Sequence, residues 1–142
     1  MAQSASSAEF GVLLASLSLL PALVEESMFR GYMTAAFLRL SFWTRAVLPS
    51  LFFGVFHLEP AQGAATALLG FGFGLARLYS GSLLPSMLAH AVYNASVLLV
   101  ARSVPGVEDH EIEVLPVVIG AGLLALGVGI LRQGAALPAQ NA

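Results

Sequence analysis

The sequence predicts an all-α membrane protein, a polytopic transmembrane helical bundle of about five spanning helices. Three observations carry this. Of 142 residues, 58% are hydrophobic and only 10% are charged, against about 25% charged in an ordinary soluble domain. The mean hydropathy is +0.85. The apolar residues fall in long runs, rich in Ala and Leu, that do not alternate with polar ones, so helices are favoured over barrel strands. A soluble fold of this size would lack polar cover for its surface, and a net charge of −2 gives no basic field for nucleic acid. With no Cys, disulfide frameworks and thiolate chemistry are excluded.

Residues 1–9 are polar, with no basic residue before the apolar run, so they lack the positive region of a secretory signal peptide. A single domain is expected over 10–132, followed by a polar tail over 133–142. The first apolar segment runs from Phe10 to Leu38, interrupted by Pro21 and by the cluster Glu25, Glu26 and Arg30. The second, Thr44 to Leu58, is short and ends at Glu59-Pro60, because proline disfavours helix in the residue before it. The third runs from Gln62 to Leu78 and is closed by the turn Tyr79-Ser80-Gly81-Ser82. The fourth, Ser82 to Ala101, leads into a polar loop, Ser103 to Glu113, that holds Glu108, Asp109, Glu111 and Glu113. The fifth is Val114 to Leu131.

Orientation follows from the arginines, which are all six of the basic residues. Alternating crossings put Arg39, Arg45, Arg77 and Arg132 on one side and Arg102 on the other. The Arg-rich side is therefore cytoplasmic, with Trp43 and Tyr79 as interfacial aromatics and the N-terminus outside. Arg without Lys is in keeping with a GC-rich bacterial genome, so the expected location is a bacterial cytoplasmic membrane.

Charges and strongly polar groups inside a span are costly and call for a reason. Here they are Glu25, Glu26, Arg30, His57, His90 and Asn94. Counted at 1.5 Å per residue from the cytoplasmic edge, Glu25 lies roughly 21 Å deep, Arg30 about 14 Å, His57 about 20 Å, His90 about 12 Å and Asn94 about 18 Å. Three segments thus place polar groups in one layer. Glu26 and Arg30 are four apart and can pair; His90 and Asn94, and Phe53 and His57, repeat that spacing. Glu25 is turned about 100° from Glu26, so one carboxylate can be neutralised by Arg30 while the other faces a cavity. A Glu can take a proton from water, a His can orient that water or bind a metal, and an Asn amide can donate to an oxyanion. Proton or ion transfer would use the same groups, and a lone buried Glu–Arg pair is more often a packing or registry device than a catalyst. The zinc-protease signature H-E-x-x-H is absent, since His57-Leu58-Glu59-Pro60 does not fit it.

Other features have plainer explanations. Gly70 and Gly74 in Gly70-Phe71-Gly72-Phe73-Gly74 have the spacing of close helix packing rather than of a phosphate loop. Met28, Met33 and Met87 read as core filler, and the acidic loop as a solvated connection. Asn94-Ala95-Ser96 matches a glycosylation sequon but lies in a span.

Taken in order, Glu25-Glu26-Ser27-Met28-Phe29-Arg30 resembles the EExxxR motif, Phe53-Gly54-Val55-Phe56-His57 the FxxxH motif and His90-Ala91-Val92-Tyr93-Asn94 the HxxxN motif of the CPBP (Abi) intramembrane proteases. That family includes the type II CAAX prenyl endopeptidases and bacteriocin-processing proteins. Gly81-Ser82-Leu83-Leu84-Pro85 is similar to its usual lead-in to the third motif, and the resemblance covers residues 15–100. It implies an intramembrane endopeptidase acting on membrane-associated proteins or peptides, CAAX-type prenylated ones among them. In that family Glu25 would activate water with His57, His90 and Asn94 would bind substrate or the oxyanion, and Glu26 and Arg30 would support the site. Two routes stay open: a zinc held by Glu25, His57 and His90, or a metal-free glutamate mechanism, with Glu25 as base the favoured one. Family members usually carry further helices before the first motif, whereas the apolar span ahead of Glu25 here is Phe10 to Leu23, as expected of a minimal member or a fragment. A non-catalytic scaffold or bacteriocin-immunity protein of the same family is the alternative.

Overall fold

Helix α1 starts where polar sequence gives way to apolar sequence. In this computed structural model, which describes residues 4–104 together with Gly122, Gly127 and Gly129, the Ser6 hydroxyl accepts the Glu9 N–H and the Glu9 carboxylate accepts the Ser6 N–H at 2.8 Å. This reciprocal cap satisfies two amides that the helix end would otherwise leave unpaired. Helix α1 then runs as one rod, Ser7–Ala36. The expected interruption at Pro21 does not occur. A π-helical turn over Ala15–Leu19 precedes it, with the Leu20 N–H on the Ala15 carbonyl. The ladder is thereby shifted just where proline has no N–H to give. The charged cluster does not end the helix either; a second π segment, Ser27–Met33, carries the chain through it. Thr34 closes that segment, its hydroxyl donating to the Phe29 carbonyl at 2.9 Å.

Three more helices follow among the described residues: α2 (Phe42–Val55), α3 (Pro60–Ser80) and α4 (Leu84–Ser103). Ser41 caps α2 by accepting the Thr44 N–H. The Glu59 carboxylate caps α3, and Pro60 takes its first position, where the missing N–H costs nothing. Gly81, at φ +70°, ends α3 in the left-handed conformation that glycine adopts freely. Leu58 is also left-handed, at φ 60°, and reverses the chain between α2 and α3 directly after His57. All secondary structure among the described residues is helical. The acidic loop from residue 105, the fifth segment Val114 to Leu131, and Arg132 with the tail lie outside the described residues.

Helices α2 and α3 form the most extensive interface. Small residues line it: a Cβ on Gly74 would sit 3.3 Å from the Ala46 carbonyl oxygen, and one on Gly63 would sit 2.8 Å from the Gly54 carbonyl oxygen. The packing reading of Gly70 and Gly74 therefore holds. Helix α4 lies against α3 and α1, and the Ser18 hydroxyl in the first π turn donates to the Ala91 carbonyl of α4 at 2.6 Å. The two ends of the bundle are distinct. Phe42 meets Tyr79 at 5.1 Å and Trp43 at 5.4 Å, joining the start of α2 to the end of α3. At the other end Arg102 lies over the Phe10 ring at 4.2 Å, joining the end of α4 to the start of α1.

Helices α1 and α4 are long and apolar enough to cross a membrane, while α2 is apolar but has 14 residues. Val12, Leu19, Leu20, Val24, Leu88 and Val92 on α1 and α4 are exposed, as lipid-facing positions would be. The interior combines Phe29, Phe53 and Phe73 with Glu26 and Arg30, and Arg30 heads the fully buried side chains by volume.

Candidate active site

The buried charges sit at the junction between the α-helical and second π-helical parts of α1. Glu26 and Arg30, four apart, pair through Oε1 and Nη1 at 2.9 Å, both side chains wholly buried. From α4, His90 Nδ1 reaches the same Oε1 at 3.0 Å. Because a carboxylate only accepts, Nδ1 carries the proton, and Nε2 is the nitrogen left to face elsewhere. That nitrogen lies 3.7 Å from Glu25 Oε2, longer than a hydrogen bond. The two adjacent glutamates thus part company as their offset around the helix predicts. Glu26 is sealed against a cation, and the Glu25 side chain is 34% exposed.

Aromatic rings hold the rest of the cluster. The Arg30 guanidinium lies 4.6 Å from the Phe53 ring centre, 5.5 Å from Phe73 and 5.9 Å from Phe29. These negative ring faces stabilise a cation whose Nε and Nη2 have no hydrogen-bond partner among the described residues. Space for it exists because residue 70 is glycine; a Cβ there would come within 2.6 Å of Nη2. His90 stacks on Phe73 with ring centres 5.1 Å apart and 13° between planes, and meets Phe53 edge-on at 5.7 Å.

His57 occupies the turn after α2. Its Nδ1 donates to the Phe53 carbonyl at 2.8 Å, and its ring meets the Phe53 ring at 4.8 Å. The carbonyl fixes the proton on Nδ1 and leaves the Nε2 lone pair available. His57 lines a cleft of about 220 Å³ with Asn94, Tyr93, Gln62, Thr66 and Leu17. The site therefore has two parts: Glu25, Glu26, Arg30 and His90 in one cluster, and His57 with Asn94 in the adjoining cleft. His90 and Asn94, one turn apart on α4, contribute one residue to each. Phe53 joins the parts, since its ring touches both imidazoles.

The motif spacing marked Phe53 as a partner of His57 but not as a wall for Arg30 and His90. Neither Phe73 nor Ser18 belongs to a motif; each acts through a contact made across the fold. Among the described residues no three His, Asp or Glu side chains stand together as a metal set. Glu25 and His90 approach each other, while His57 stands in the cleft. As placed, these residues do not fit a three-ligand zinc site.

Apolar helices of membrane-spanning length, wrapped around a buried ion pair and two oriented imidazoles, define a helical membrane protein with a polar centre. The chain belongs to a protease family. A family model described as "Type II CAAX prenyl endopeptidase Rce1-like" matches residues 7–96, a span that contains all three motifs. No curated protein and no solved structure matches the chain.

Proposed function

We propose that this protein is an intramembrane endopeptidase of a bacterial cytoplasmic membrane, built on five spanning segments, that hydrolyses membrane-associated, CAAX-type prenylated substrates with a glutamate-activated water. The observation that carries the reading is the division between neighbouring carboxylates. Glu26 is wholly buried and committed to Arg30 and His90, whereas Glu25 is partly open and lies beside the remaining imidazole nitrogen. Of these two carboxylates, the mechanism uses Glu25 to take a proton from water.

In this mechanism the Glu25 carboxylate removes a proton from water, and the hydroxide adds to the scissile carbonyl carbon. The His57 Nε2 lone pair orients the water through its second hydrogen. The Asn94 carboxamide donates to the oxyanion of the tetrahedral intermediate. The C–N bond then breaks, and Glu25 passes its proton to the leaving amine, giving a carboxylic acid and an amine. His90 Nε2 stands 3.7 Å from Glu25 Oε2, beyond hydrogen-bond reach, so the mechanism uses His90 as a wall beside this base and not as its hydrogen-bond partner. The family resemblance implies instead that His90 binds substrate or the oxyanion. The donor set favours the metal-free route over zinc.

The test compares wild-type protein and Glu25→Ala in lipid nanodiscs on a farnesylated CAAX peptide, with cleavage followed by mass spectrometry. Wild-type protein cleaves, and Glu25→Ala loses at least about 10³-fold in kcat, the scale of removing an essential base. Cleavage that survives Glu25→Ala unchanged overturns the mechanism.

A further inference from the structure

The cleft beside the proposed catalytic groups contains a polar side chain outside all three motifs. Gln62 lies in the first turn of α3, three residues after the cap Glu59. Glutamine at this position often reaches back to the N–H of the capping residue. Here that bond is not made, because the Glu59 N–H donates to the His57 carbonyl at 2.8 Å. The other half of the cap is present, with the Gln62 N–H on the Glu59 carboxylate. The turn that carries His57 has taken the donor that would have held the glutamine. Its carboxamide has no hydrogen-bond partner among the described residues, and neither has that of Asn94 across the same cleft.

Both carboxamides are half-buried, in a cleft they share with His57, Thr66 and Tyr93 and with the apolar walls of Leu17, Ala65, Val97 and Leu98. A carboxamide offers one acceptor and two donors, which matches the N–H and C=O of a single peptide unit. Thr66, one turn along the same face of α3, directs its hydroxyl proton to the Gln62 and Gly63 carbonyls, so it does not compete for that peptide unit. The first turn of α3 also faces His57 in the same cleft.

We infer that Gln62 is a substrate-binding residue that pairs with the main chain of an extended peptide lying between α3 and α4, next to the bond being cut. This rests on the endopeptidase reading above. Main-chain recognition holds the peptide in register without selecting its side chains, and the Asn94 carboxamide serves the reacting carbonyl from the opposite wall.

The experiment uses the full chain in nanodiscs and a farnesylated CAAX peptide as probe. Gln62→Leu keeps approximate volume and removes both hydrogen bonds. It raises KM about tenfold while kcat stays within about twofold, the effect of losing a ground-state contact to a neutral peptide group. Gln62→Asn, which retains the amide one methylene shorter, recovers part of that loss. A benzophenone derivative of the peptide, bound to the Glu25→Ala protein, crosslinks to the segment 57–66, and this readout does not depend on turnover. An unchanged KM in Gln62→Leu, or crosslinks only outside that segment, overturns the assignment. Cleavage that survives Glu25→Ala instead strikes the catalytic reading, so the two failures are told apart.

Discussion

Replacing Arg30 by methionine isolates the strongest electrostatic commitment in the protein. Glu26 and Arg30 are both wholly buried, and their single contact is the 2.9 Å bond between Oε1 and Nη1. Removing the cation leaves a carboxylate in an apolar interior with only the His90 Nδ1–H on it. Breaking a buried pair from one side costs about 3–5 kcal/mol, because the remaining charge is uncompensated. The three ring contacts to Phe29, Phe53 and Phe73 are lost with it, and each is worth about 0.5–2 kcal/mol depending on desolvation. Methionine refills most of the volume, so a cavity is not the main loss. The pair Glu26→Gln, Arg30→Met removes both charges and still offers His90 an acceptor. It therefore recovers at least about 2 kcal/mol relative to Arg30→Met alone. The assay is reversible unfolding in mixed micelles, read by circular dichroism, for the wild type, both single variants and the double variant. Arg30→Met within about 1 kcal/mol of wild type, or a double variant no more stable than Arg30→Met, refutes the argument that charge compensation is what holds this layer.

Three other outcomes are expected. Gly70→Ala puts a Cβ 2.6 Å from Arg30 Nη2 and 2.9 Å from Phe53 Cδ1, so it costs about 1–3 kcal/mol in the same unfolding assay and lowers cleavage by disturbing the Phe53 wall; Gly11→Ala, with nothing within 4 Å, is neutral or slightly stabilising. Gly54→Ala drives its Cβ into the Gly63 carbonyl oxygen and to 2.8 Å from the Ala67 Cβ, and the backbone must move, so the α2–α3 turn that carries His57 shifts and kcat falls more than at Gly70. Removal of zinc by a chelator, verified by elemental analysis, leaves peptide cleavage within about twofold of the untreated enzyme, because Glu25, His57 and His90 do not form a ligand set; loss of activity that zinc alone restores contradicts that placement.

The division of labour between Glu25 and Glu26 was readable from spacing, since neighbouring helical residues point in different directions and only one of them can share a face with Arg30. Sequence could not say which imidazole would stand beside Glu25. That depends on how α4 is set against α1, and a hydroxyl with no motif status, Ser18, takes part by binding the carbonyl of Ala91 next to His90. Pro21 shows the opposite failure. Proline rules predict an interruption, but a π turn one step earlier removes the conflict, and such turns leave no simple pattern in the residues. The aromatic surround of Arg30 was equally hidden, because Phe73 lies in an apolar run where every residue suits a membrane helix.

Sequence by itself determined the solvent, the helical class and the motif residues. Scarcity of charge forces the backbone to satisfy its own hydrogen bonds in apolar helices, and the few buried polar groups then mark the site by their cost. Tertiary structure alone decided how those groups are shared out. It gave Glu26 to Arg30 and His90, brought His90 to Glu25, and sent His57 with Asn94 to the adjoining cleft. The reason is physical. Spacing fixes neighbours along one helix, whereas contacts between helices depend on how closely α1, α2, α3 and α4 approach, and that is set by small residues such as Gly54, Gly63, Gly70 and Gly74 and by the rings packed among them.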